Sequence, residues 1–275
     1  MSRPPLALTR VAEDGRRLFG RVWPATTKPW GVLGVVHGLG EHIGRYGRFA
    51  SFFQESGVTV LGFDQRGHGQ TGGRLPSFQT LAADVDLVIA ELADCGDVPR
   101  FLYGQSLGGG LVVHSLLRKE QQVLGAISSA PLLVPAFEPP AWKLRLAKWL
   151  YRAWPSFSLA SGVRAADLSR DPEAVRRYLA DPLVHRRVSA VLGHTMLEAG
   201  RWSLANADRL NRPLLLMHGT EDRITSCEAS REFANKSQDL CTLMLWDGLF
   251  HDLHDEPERL DVLASVIDWM RKLCG

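Results

Sequence analysis

Phe101-Leu102-Tyr103-Gly104-Gln105-Ser106-Leu107-Gly108-Gly109-Gly110 joins an apolar run to a helical pattern through a glycine-flanked serine. Residues 104–108 fit G-x-S-x-G, and the helical pattern continues over Leu107–Glu120. A strand that turns sharply into a helix forces its central residue into a strained conformation. Glycines on either side relieve the crowding that side chains would create there. The Ser106 hydroxyl then projects at the carboxyl end of a sheet, beside the positive end of the following helix. Taken alone, the five residues also fit a plain glycine-rich turn. The strand before and the helix after favour the nucleophile elbow.

The same strand–loop–helix unit recurs on both sides of this stretch. Runs rich in branched apolar residues span Gly31–His37, Val58–Asp64, Phe101–Gln105, Leu124–Ser128, Leu214–His218 and Thr242–Trp246. Continuous apolar runs of this length suit strands buried on both faces of a parallel sheet. Helical patterns separate them at Tyr46–Ser56, Phe78–Asp94, Leu107–Glu120, Cys227–Lys236 and Glu258–Leu273. Such alternation predicts right-handed crossovers and an α/β class, doubly wound sheet. Residues Leu6–Trp23, broken at Asp14-Gly15, predict an N-terminal antiparallel hairpin. The rhythm stops between Pro131 and Asn211, where seven prolines and short helical patterns leave no clear strand. The expected organisation is a core of residues 1–130 and 212–275 with a helical cap inserted at 131–211.

The 275 residues are 45% hydrophobic and 23% charged, ordinary globular values, and the formal net charge of +2 gives no reason to expect nucleic acid. Cys95, Cys227, Cys241 and Cys274 form no C-x-x-C pair and read as reduced thiols. The N-terminus lacks a signal-peptide core, and no run approaches the roughly 20 apolar residues of a membrane span. A cytoplasmic location is expected, with peripheral attachment to membranes open.

A serine hydroxyl needs a general base, and the base needs an orienting carboxylate. In a fold of this kind the chain order is serine, acid, histidine. Asp222 follows the run ending at His218, and His251 follows the run ending at Trp246, so both fall on the sheet edge that holds Ser106. Glu221 is the alternative acid, longer and one residue nearer the strand. His254 is the alternative base, farther from the strand end. His218 and His37 each close a strand and read as hydrogen-bonded structural histidines near the site. His251, Asp252, His254 and Asp255 cluster, but H-x-x-H is too tight for the usual helical zinc pair and lacks a third ligand. No metal and no cofactor is expected. The glycine-rich His37-Gly38-Leu39-Gly40 loop brings a backbone N–H, that of Leu39, toward a developing oxyanion, with the Leu107 N–H as second donor.

These pieces together resemble the monoacylglycerol lipase and lysophospholipase branch of the α/β-hydrolases, the serine aminopeptidase S33 or hydrolase-4 type. The matching residues are His37-Gly38-Leu39-Gly40-Glu41-His42 with Arg45-Tyr46, Phe63-Asp64-Gln65-Arg66-Gly67-His68-Gly69, Gly104–Gly109, His218-Gly219-Thr220-Glu221-Asp222 and Phe250-His251. The resemblance implies an α/β-hydrolase fold with an inserted helical cap. It also implies Ser106, Asp222 and His251 as catalytic residues, Leu39 and Leu107 amides as the oxyanion hole, and a small lipid ester as substrate. No family motif stands out within residues 131–211, where the acyl pocket is expected.

Trp142–Trp154 reads WKLRLAKWLYRAW. At helical spacing Trp142, Leu146, Trp149, Leu150 and Ala153 form an apolar stripe beside Arg145, Lys148 and Arg152, with Leu144, Ala147 and Tyr151 opposite. Such a helix either packs as a buried lid or docks on an anionic lipid surface. Rival functions are a lysophospholipase or short-chain esterase, a small-peptide serine peptidase, and a non-catalytic binding protein. Epoxide hydrolases and dehalogenases of this fold resemble the chain with aspartate at position 106, so the serine argues against them.

Overall fold

The computed structural model describes residues 3–137 and 149–275. Eight strands form one sheet, in the order β1-β2-β4-β3-β5-β6-β9-β10. They are β1 (Leu6–Val11), β2 (Arg17–Trp23), β3 (Gly31–Val36), β4 (Val58–Phe63), β5 (Arg100–Gln105), β6 (Gly125–Ser129), β9 (Leu214–Gly219) and β10 (Cys241–Trp246). β1 pairs antiparallel with β2, and β2 antiparallel with β4; every other pairing is parallel.

The helices whose full extent is described are α1 (Gly47–Glu55), α2 (Phe78–Ala93), α3 (Leu107–Arg118), α4 (Pro172–Ala180), α5 (Ala190–Ala205), α6 (Cys227–Lys236) and α7 (Arg259–Cys274). The all-buried β3 shows why the sheet needs helices on both sides. Val32 and Val36 point into a core shared with α2 and α3, whereas Leu33 and Val35 point into one shared with α1 and α7. Burying a side chain of this size stabilises by about 1.5–3 kcal/mol. Removing the helices from either face would therefore forfeit several such terms.

Strand and helix positions match the sequence reading to within about two residues at the ends, as expected where caps fray. One difference is of kind. Between β6 and β9, where no strand was expected, β7 (Ser158–Ala160) and β8 (Arg187–Ser189) pair antiparallel as a separate two-stranded sheet. Three-residue strands that are half-exposed are too short to show alternation. The other described residues of that segment are α4, α5, a helical stretch at 149–153 and short turns, none of them paired with the main sheet. Among the described residues no helix is long and apolar enough to cross a membrane.

Candidate active site

Ser106 sits between β5 and α3 with φ 55° and ψ −115°, one of three non-glycine residues with positive φ among those described. A β-carbon at Gly104 would lie 2.3 Å from the Gly108 carbonyl oxygen, and one at Gly108 would lie 2.0 Å from that of Val36. The first turn of α3 therefore presses directly onto the ends of β5 and β3. The Ser106 N–H donates to Ser129 O at 3.0 Å, and Ser106 O accepts from the Leu132 N–H at 2.9 Å. The end of β6 and the residues just after it thus hold the strained residue by both its N–H and its carbonyl, which is how such strain persists.

The β3–α1 loop approaches from the other side. His37 is buried, donates Nδ1–H to Gly38 O at 2.8 Å, and accepts the Gln65 N–H on Nε2 at 2.9 Å. Burial pushes its pKa below the ordinary histidine value, so the ring is a neutral brace for the loop. That is the structural role expected for it. A β-carbon at Gly38 would come 2.4 Å from Glu41 Oε1 and 3.4 Å from Ser106 Cβ, so the glycine leaves room for the Glu41 carboxylate beside the serine. Leu39 and Leu107 both line the cavity over Ser106. The Leu107 amide opens a helix and has no intrahelical acceptor.

His251 Nδ1 lies 2.7 Å from Asp222 Oδ2, with the carboxylate wholly buried. Asp222 Oδ1 accepts the N–H groups of Ile224 (2.7 Å) and Thr225 (3.1 Å), which sets the plane of the carboxylate. Burial opposes its ionisation, but His251 and His218 outweigh burial and hold the carboxyl well below the usual range. Burial likewise opposes charge on His251. Asp222 overcomes it, Asp252 and Glu41 add to the effect, and the imidazole is pushed up to about 9. The neighbouring Asp252 is pushed up to about 8, chiefly by burial and then by Glu41.

Ser106, His251, Leu39 and Leu107 line a single cavity of about 90 Å³. Its remaining wall is largely apolar and includes Leu132, Phe137, Val163, Leu168, Met196 and Ile224. Glu41 and Tyr178 supply polar atoms, and Glu41 pairs with Arg45 at 3.5 Å. Among the described residues no standard hydrogen bond joins Ser106 to His251, a contact that in unliganded sites often tightens only with substrate.

The alternatives fall elsewhere. Glu221 is exposed and lies outside this cluster, and His254 is buried, stacked on Tyr46 at 5.1 Å. His218, expected to be structural, does more than brace a strand: its Nε2 lies 3.0 Å from Asp222 Oδ2. Sequence reading passed over Thr225 and Gln105 as site residues and weighed Asp252 only within a zinc cluster. Thr225 Oγ1 lies 2.8 Å from Asp222 Oδ2, and Gln105 Nε2 donates to both His251 O (3.0 Å) and Asp252 Oδ1 (3.1 Å). Their adjacency to Ser106, His251 and Asp222 was the only signal available. Of the Trp142–Trp154 segment, residues 142–148 lie outside those described; Trp149 and Trp154 are exposed and Leu150 is buried.

The family described as serine aminopeptidase, S33 (Hydrolase_4) matches residues 27–258. An uncharacterized abhydrolase domain-containing protein of Dictyostelium discoideum is 34% identical over 95% of the chain, which spans only 28% of that protein's length. A monoacylglycerol lipase of Mycolicibacterium smegmatis is 32% identical over 93% of both chains. The crystal structure of Paleococcus ferrophilus monoacylglycerol lipase superposes with a TM-score of 0.85 at 32% identity, covering 93% of this chain and 99% of that one.

Proposed function

The chain belongs to the serine aminopeptidase S33 family of α/β-hydrolases and is a serine ester hydrolase; from this we propose that it cleaves monoacylglycerols or related single-chain lipid esters. Ser106 Oγ attacks the ester carbonyl while His251 Nε2 takes its proton, and Asp222 holds the imidazole by Nδ1 and stabilises its charged form. The tetrahedral oxyanion lies between the Leu39 and Leu107 amides. Its collapse breaks the C–O bond, and His251 returns the proton to the leaving alcohol. Water then attacks the acyl-enzyme by the same route, releasing the fatty acid and restoring Ser106.

One observation carries this reading: a strained serine, an Asp-bound histidine and two candidate amide donors open onto one apolar cavity. The cavity's composition supports the substrate class. An apolar wall suits an acyl chain. Glu41 can accept hydrogen bonds from alcohol hydroxyls and would repel a phosphate, which favours a glycerol ester over a lysophospholipid.

Residues 131–211 act as the cap, since Phe137, Val163, Leu168 and Met196 bring its side chains over Ser106. The exposed Trp149 and Trp154 support peripheral docking of this cap on lipid. Co-sedimentation with anionic vesicles tests the docking, and absence of binding by the intact protein removes it.

The deciding experiment compares a chain-length series of monoacylglycerols with matched lysophospholipids and an aminoacyl anilide. The expected order is monoacylglycerol first, and Ser106→Ala abolishes all turnover. Faster cleavage of the anilide, or full activity of Ser106→Ala, overturns the reading.

A further inference from the structure

Asp222 is held by two histidines on a single oxygen. We infer that His218 is a positioning residue for the reaction, donating Nε2–H to Asp222 Oδ2 and so fixing the carboxylate that orients His251. The inference rests on the catalytic roles proposed above.

The tautomer follows from the partners. His218 Nε2 lies 3.0 Å from Asp222 Oδ2 and 3.2 Å from Thr225 O. An ionised carboxylate and a carbonyl only accept, so Nε2 carries a hydrogen. Ser230 Oγ on α6, 2.8 Å from Nδ1, holds the ring at its other nitrogen. The ring is fully buried at the end of β9 and has no freedom to turn away. A continuous path of side chains thus runs Ser230, His218, Asp222, His251.

Two consequences follow for Oδ2. It shares its electron density between the His218 and His251 donors, so His218 weakens the pull of Asp222 on the His251 proton. It also cannot swing toward solvent or α6, because the carboxylate is pinned on Oδ1 by two backbone N–H groups and on Oδ2 by His218. Thr225 Oγ1, 2.8 Å from the same oxygen, also lies 3.1 Å from Ala130 O. Its single hydrogen is shared between the two acceptors, so it adds to the imidazole donor on Oδ2 without taking its place in orienting the ring of His218. His218 is not part of the substrate cavity wall, so its effect is confined to the chemical step.

The test uses His218→Leu, which removes the donor, and His218→Gln, whose amide keeps a donor at similar reach. A hydrogen bond to a charged group corresponds to roughly ten- to a hundredfold in rate. His218→Leu is therefore expected to lose about that much in kcat with KM within about twofold. The acid limb of its kcat/KM profile moves to higher pH, because the freed carboxylate holds the His251 proton more tightly. His218→Gln is expected to recover both the limb and most of kcat. A folded His218→Leu with wild-type kcat and pH profile overturns the inference, and so does a His218→Gln as impaired as His218→Leu.

If His218→Leu does not fold, ¹⁵N-histidine NMR of the wild-type protein decides instead. His218 Nε2 is expected to show a one-bond proton coupling from pH 6 to 9, and an unprotonated Nε2 refutes the inference. Fluorophosphonate labelling of the wild type and of Ser106→Ala separates the two levels. An unlabelled wild type means that the serine-hydrolase roles fail. A labelled wild type with an indifferent His218→Leu means that only the His218 role fails.

Discussion

Replacing Asp222 by asparagine separates the charge of the carboxylate from its shape, and the expected result depends strongly on pH. Asp222 leads the groups that overcome burial and push the His251 imidazole up to about 9. The ordinary value is 6.5, so the surroundings stabilise the charged ring by about 3 kcal/mol. On the proposed mechanism only neutral His251 takes the Ser106 proton. Wild-type kcat/KM for a p-nitrophenyl ester should therefore climb through pH 7 and 8 and level off above about 9. In Asp222→Asn the limb moves to lower pH, since only Asp252 and Glu41 then oppose burial. The plateau falls by roughly 10²–10³ from the lost imidazolium stabilisation, and toward 10⁴ if the amide selects the wrong tautomer. At pH 6 roughly one wild-type molecule in a thousand carries a neutral ring, whereas a much larger share of the variant does. The wild-type advantage should therefore be large at pH 10 and shrink to a small factor at pH 6. The same pair shows in stability. A raised folded-state pKa on His251 stabilises fully below about 6.5 and loses that contribution as pH rises through about 9. The difference in urea midpoint between wild type and variant should narrow between pH 6 and 10. An advantage that is the same at every pH, or an unmoved acid limb, refutes the argument.

Other substitutions probe single contacts. Asp252→Asn removes a second carboxylate that raises the His251 pKa, so the acid limb should move to lower pH with little change in KM; a limb that moves upward contradicts the electrostatic account. Gly108→Ala puts a methyl group 2.0 Å from Val36 O, an overpacking of about 1–3 kcal/mol that thermal unfolding should register at about 2–4 °C per kcal/mol, together with loss of esterase activity. Met196→Ala enlarges the apolar wall over Ser106, so relative kcat/KM should shift toward longer acyl chains, by roughly fourfold for each further methylene buried. Unchanged chain-length preference would remove Met196 from the acyl pocket.

The parts legible in the sequence are those whose physics is local. β3, β5 and β9 announce themselves because a strand covered on both faces must be apolar throughout, and each ends in the glycine or polar loop that opens the site. Ser106 is legible because its backbone geometry demands small neighbours at fixed offsets, and Gly104 and Gly108 stand within about 2 Å of other backbone atoms if given a β-carbon. Asp222 and His251 are legible by position, since successive crossovers deliver successive loops to one sheet edge. What stayed hidden is whatever depends on approach between distant segments. β7 and β8 lie some thirty residues apart in sequence and pair over three residues, a pattern with no local trace.

His218 is the more instructive case. Its place at the end of a buried strand was visible, and a structural role was the economical reading for any histidine there. In the folded chain the turn through Gly219–Asp222 brings the carboxylate back over the ring of the residue four positions earlier, while α6 supplies Ser230 from the other side. A short turn that begins and ends on titratable side chains can therefore bring an acid and its histidine brace together within five residues. The chemistry of the site is then set as much by what holds the acid as by the serine that the sequence advertises.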